Sequence, residues 1–405
     1  MNPTMKNAIR LFAVPILLVL LASCARNGKS VPPREDLFLL DIGPMEDQLS
    51  LFVFPDDPGM PRASVAMRDG FFYVSDGEGR KIVRYNSFGD MIFLIYNDET
   101  NPEPSDLKIR TEEDGRMTRW AFSFPFLSPG KIAVDSRRHI FVEEILPEQR
   151  HGFDAENQAL LDGVVLHFDH EGRFVDFIGQ GGPGGGPFPK IVGIHVSAND
   201  EIAVVARTST GWDVFWYNPD GEQMFLVPLQ NDAIPAPPDV DSFLASIASV
   251  MVAPDSRTLY VKVDYYREIY EPLTGNLTGI ETLNPLVWIL DVQEGAYSGF
   301  VSVPFYEMAE TERGRGIEVN LPYSMLGVVE GGAMLFGILV DDGYALLRMD
   351  SSGEGLRRGF IGIGEDRGVF NSFHLSPEGV LSALLADEWT TAVSWWRMER
   401  FMRDG

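Results

Sequence analysis

IVRYNSFG, residues 82–89, returns along the chain as VLHFDHEG (165–172), VFWYNPDG (214–221), VWILDVQEG (287–295) and ALLRMDSSG (345–353). Each copy is an apolar strand that runs into Asn or Asp, a few polar residues and then Gly. That order is a hairpin signal: the Asn or Asp side chain bonds the backbone ahead of it, and Gly takes the positive-φ position that closes a short loop. A second unit of strand, polar turn and strand precedes each copy. It reads VAMRDGFFYV (65–74), IAVDSRRHIFV (132–142), IHVSANDEIAV (194–204), VMVAPDSRTLYV (250–261), GVVEGGAMLF (327–336) and, once more, FHLSPEGVLSA (373–383). Six a–b hairpins, five of them followed by a complete c–d hairpin, make a radially repeated β architecture.

The sixth copy sets the closure. AVSWWRME (392–399) supplies its third strand and Gly405 follows too soon for a fourth, while LFLLDI (37–42) is a strand with no hairpin of its own. An open ring exposes sheet edges and a closed one does not. The reading is therefore an all-β, six-bladed propeller of four-stranded antiparallel blades over residues 36–405, its last blade completed by the N-terminal strand. LSLFVF (49–54) leads into blade one; a seventh blade would require residues 37–54 to form a sheet of their own.

Residues 1–23 have the layout of a signal peptide: Lys6 and Arg10, an apolar run from Leu11 to Leu21, then small residues. The run is shorter than the ~20 residues of a transmembrane helix. Leu21-Ala22-Ser23-Cys24 resembles the bacterial lipobox, which implies cleavage before Cys24 and a diacylglycerol on its thiol. Cys24 is the only cysteine, so no disulfide or thiol chemistry is available elsewhere. Two acyl chains give stable anchoring, and residues 24–35 read as a polar tether. The resemblance implies the bacterial cell envelope, with Ala25 in place of aspartate favouring the outer membrane, on its periplasmic side or at the cell surface.

The formal net charge is −26, and no basic run occurs. Nucleic acid is excluded as a partner, because phosphate binding needs clustered Lys and Arg; the acidity reads first as a solvated surface.

Over residues 36–403 the units resemble NHL-type and related six-bladed propellers, most closely in GRFVDFIGQGGPGGGPFPKIVGIHV (172–196). The glycine-rich 179–186 is a d–a crossover in that pattern. It is not a phosphate loop, since GK[ST] is lacking and a strand follows.

In such blades the a–b and c–d turns occupy one face of the disc, and the b–c and d–a connections the other. The long insertions at 97–125, 230–244 and 304–321 join d to a, and those at 144–163 and 264–284 join b to c. All lie on one face, which points to a binding side. Trp120, Phe122, Tyr265, Tyr266 and Tyr270 fall in or near these insertions and are candidate contacts to a protein, peptide or glycan; packing against the rim is the other reading.

His195 and His374 share one repeat position on strands a of blades three and six, pointing either into the central channel or into inter-blade cores. They are the candidate catalytic residues of an alternative function. Resemblance to metal-dependent lactonase or lyase propellers implies a divalent ion, whereas the leading reading needs no cofactor. Asp69, Asp135, Asn199, Asp255 and Glu378 are explained by turn chemistry. His167 and His170 bracket a hairpin turn, which predicts exposure.

Overall fold

The computed structural model describes residues 31–51, 61–104, 120–312, 315–364 and 368–403. Cys24 and the targeting segment lie outside them. Six four-stranded antiparallel units make the ring. Their innermost strands a are Ala63–Arg68, Ile132–Val134, Lys190–Val196, Leu244–Val252, Ser324–Val328 and Phe370–Leu375, for blades one to six. In blades one to five, strands b, c and d follow outward in chain order.

The repeat glycines do what the turn argument asks of them. Gly89, Gly172, Gly221, Gly295 and Gly353 adopt φ of 83°, 88°, 82°, 62° and 80°, a conformation that costs other residues about 1 kcal/mol or more. Each closes the c–d hairpin of its blade.

In the sixth blade, strand c is Thr390–Arg397 and the fourth strand is Glu35–Asp41, paired antiparallel from Glu35↔Trp395 to Asp41↔Thr390. Of residues 37–54, those described, 37–51, form no separate sheet: beyond Asp41 the described residues show an Ile42↔Leu49 bridge, and 52–54 lie outside the described residues. Apolar cores fill the spaces between neighbouring blades. Between blades six and one, Leu40, Leu49 and Val393 pack with Phe72, Val83 and Tyr85.

Two insertions differ from the loops expected of them. In blade four, strands Thr258–Tyr270 and Leu277–Asp291 run on together well past the core as a two-stranded arm. In blade one, Trp120–Ser123 adds a fifth strand, parallel to strand d, Met91–Tyr96. Smaller hairpins decorate blade two (Gly152–Asp154 with Ala159–Leu161) and the blade four to five connection (Tyr306–Glu312 with Arg315–Leu321).

Candidate functional site

The strands a of all six blades surround a central cavity of about 640 Å³. As inner edge strands they turn unpaired backbone groups toward the axis, so the cavity has polar walls even where its side chains are apolar. Those side chains include Met67, Met251, Met325 and Phe373. The polar ones are Ser64, Arg68, Lys131, His195, Ser249, Asn371, Ser372 and His374, and among the described residues no aspartate or glutamate lines the cavity.

Both sequence-predicted histidines are thus in the channel and not in inter-blade cores. The His374 ring accepts the Met67 backbone N–H at Nδ1 (3.3 Å), which leaves the proton of the neutral ring on Nε2. Both rings touch channel space, but protein surrounds them. Burial lowers each to about 4; His374 adds to the effect on His195, while Glu378 opposes and Arg68 reinforces it at His374. Both are therefore neutral at pH 7.

A pH experiment follows from this. The unfolded chain takes up histidine protons below about pH 6.5, whereas these two rings wait until about 4. Between those values the unfolded state binds more protons at these two sites, so their contribution to stability is full above pH 6.5 and is lost as pH falls through the window to 4. In NMR, the ring carbon protons of His195 and His374 should hold neutral-form shifts down to pH 5. A midpoint near 6.5 for either would contradict the buried placement.

Divalent ions take carboxylate or several imidazole donors; among the described residues the lining offers two imidazoles and no carboxylate. Among the described residues no group of three or more His, Cys, Asp or Glu is arranged to hold a metal.

His167, expected to be exposed, is half-buried in a chain of side chains outside the channel. His139 Nδ1 meets its Nε2 at 2.9 Å, and its Nδ1 meets Asp176 Oδ1 at 3.0 Å. Phe141 stacks on its ring. His170 is exposed. The turn residues do structural work: Asp135 accepts the His139 N–H, Asp69 meets Arg138, and Asp255 accepts the Gly331 N–H of the next blade.

The aromatic candidates separate into three environments. Trp120 and Phe122 are half-buried on the added strand of blade one. The Trp120 indole N–H bonds the Glu171 carbonyl and its ring stacks near Phe93, so both belong to the rim. Tyr265 is 0 % exposed; its hydroxyl donates to the Pro235 carbonyl and accepts the Trp288 indole N–H, which makes it core and not contact. Tyr266 and Tyr270 stand on the arm. The register Tyr266↔Thr282, Glu268↔Ile280 and Tyr270↔Leu277 places both on one face with Ile280 and Leu277. Tyr270 is 52 % exposed and Leu273, at the arm's tip, 94 %.

Other large apolar side chains are exposed on the same face of the disc: Phe153 and Leu160 on the blade two hairpin, and Trp389 in the b–c turn of blade six. None of these was singled out in the sequence, nor was Glu144 at the end of strand b in blade two. Glu144 accepts the Leu127 and Ser128 N–H groups, and burial pushes it up to about 7.

No family model and no curated protein matches this chain. Three solved structures show how distant its relatives in shape are. A gluconolactonase from Xanthomonas campestris is 13% identical with a TM-score of 0.41, over 90% of this chain and 95% of its own. The Dos1 propeller is 10% identical with a TM-score of 0.38, over the same shares. An acylaminoacyl peptidase in complex with Z-Gly-Gly-Phe-chloromethyl ketone is 11% identical with a TM-score of 0.34, over 64% of this chain and 42% of that one. Similarity at this level assigns no chemistry.

Proposed function

We propose that this chain is a binding propeller anchored in the bacterial cell envelope by a lipid on Cys24. Its first strand after the tether closes the ring, and its insertion face docks a partner protein. The observation that carries the docking side is the arm face on which Tyr270, Leu277 and Ile280 are exposed to solvent beyond the core, with half-buried Tyr266 at its base. An unburied apolar face of this kind costs solubility and is characteristic of interaction surfaces. The arm is held stiff: Arg267 and Glu281 pair across it at 2.6 Å, and the Tyr270 hydroxyl donates to Glu268 at 2.8 Å. A rigid arm loses little conformational entropy on binding. A protein is the member of the partner class that the exposed Tyr270, Leu277 and Ile280 favour over a peptide or a glycan. The metal-dependent hydrolase reading finds no carboxylate donors in the channel.

The test uses the full chain in its native membrane, treated with a short cross-linker. Wild type should stay with membranes and capture a defined partner. Cys24→Ser should leave the membrane fraction, and Tyr270→Ser with Ile280→Ser should stay anchored but lose the partner at least tenfold. Undiminished capture by the double variant removes the arm from the reading, and membrane retention of Cys24→Ser removes the anchor.

A further inference from the structure

We infer that the central channel is a binding site for a small organic anion with an apolar body, its charged head at Arg68 and His374. The cavity of about 640 Å³ is within the ~300–1,000 Å³ of ligand sites, but the charge of its walls is what points to the ligand. The chain carries 59 acidic against 33 basic residues, yet the lining carries only basic ones. Burial alone explains the missing acids. It does not explain Arg68 and Lys131, neither of which makes a side-chain hydrogen bond or ion pair with a described residue. Arg68 is half-buried and Lys131 exposed, so water meets part of their charge, and an anionic guest beside Arg68 would supply the direct counter-charge that no described side chain does.

The two cations stand at opposite ends. Arg68 ends strand a of blade one, at the a–b turn face, whereas Lys131 leads into strand a of blade two from the insertion face. Near Arg68 stands His374. His374 offers Nε2–H, because Met67 N–H holds its Nδ1 as acceptor. Toward the insertion face, at the start of strand a of blade six, Asn371 accepts the Tyr344 hydroxyl at Oδ1 (2.9 Å), which leaves its amide N–H groups for a guest. Ser372 adds a hydroxyl. Glu378 lies in the exposed a–b turn, outside the lining, and its charge reaches His374. Between the ends, Met67, Met251, Met325 and Phe373 make an adaptable apolar wall. Lys131, exposed at the other mouth, adds a positive charge that favours the approach of an anion.

Calorimetric titration of the intact protein with 1-naphthoate, and with 1-naphthylmethylammonium as the same body of opposite charge, tests the assignment. The carboxylate should bind one per chain, at least tenfold tighter than the ammonium ion. Arg68→Gln should weaken it tenfold or more with an unchanged melting temperature, while the arm variant binds as wild type does and Arg68→Gln still captures the protein partner. Binding of neither ion, equal binding of both, or full affinity in Arg68→Gln overturns the inference. If Arg68→Gln fails to fold, the comparison of the two ions on wild type still decides it.

Discussion

Removing residues 35–41 should lower the melting temperature by more than 10 °C and expose a sticky edge. The strand they form is the outer partner of Thr390–Arg397 over its whole length. It also fixes polar side chains: Asp36 accepts the Ser394 hydroxyl at 2.6 Å and Glu35 the Trp395 indole N–H at 3.0 Å. Leu40 is buried among Leu49, Phe72 and Val393, and Phe38 packs against Phe72 and Tyr85 of blade one. Losing Leu40 beyond Cβ alone costs about 2–5 kcal/mol. Losing the strand adds its ladder and leaves Thr390–Arg397 as an unprotected edge, which invites aggregation. Calorimetry and light scattering of the truncated chain read both effects. A peptide of residues 34–42 added in trans should restore part of the lost stability. Leu39→Ser is the control, because Leu39 is exposed on the same strand and outward positions change stability by no more than about 0.5 kcal/mol. A truncated chain that melts within two degrees of wild type would mean that the ring holds without this strand.

The blades were legible in the sequence because hairpin chemistry is local: Asn or Asp, then Gly, within one turn. Gly295 and Gly353 take positive φ as surely in the divergent copies as Gly172 does in the regular one. The arm was not legible. Tyr265 and Tyr266 are adjacent, yet one is core and the other half-exposed, because a strand alternates faces and this one continues after the core has ended. Arg267, Glu268 and Glu281 interrupt the apolar period there, so residues 264–284 read as a loop. The channel was half legible. The shared repeat position of His195 and His374 gave their equivalence, but which way strand a faces depends on closing the ring. Arg68 drew no notice because a lone arginine beside a turn is ordinary; it becomes informative only when the other walls of the channel are seen to carry no acid.

Asp76→Ala should destabilise the protein by about 3–5 kcal/mol, the range for breaking a buried ion pair from one side. Asp76 and Lys81 are each 1 % exposed, and their charged atoms are 3.9 Å apart at the insertion-face end of blade one. Burial draws both toward their neutral forms, raising Asp76 and lowering Lys81, and their mutual attraction opposes this. The carboxylate does more than balance a charge. It accepts the Gly79 N–H, which shapes the b–c turn, and the Ser50 N–H, which comes from the segment linking the closing strand to blade one. Lys81 in turn bonds the Met45 carbonyl of that same segment. Alanine would leave two N–H groups unpaired and an ammonium group buried without its partner. Asn would keep an acceptor oxygen for the N–H groups but still leave Lys81 uncompensated, so it should recover only part of the loss. The double variant Asp76→Asn with Lys81→Met, which removes both charges and keeps an acceptor, should be more stable than Asp76→Ala. Chemical denaturation of the three variants orders them. If Asp76→Ala alone matched wild type, the pair would not be what holds the linking segment in place, and closure would rest on the Glu35–Asp41 ladder and its apolar contacts alone.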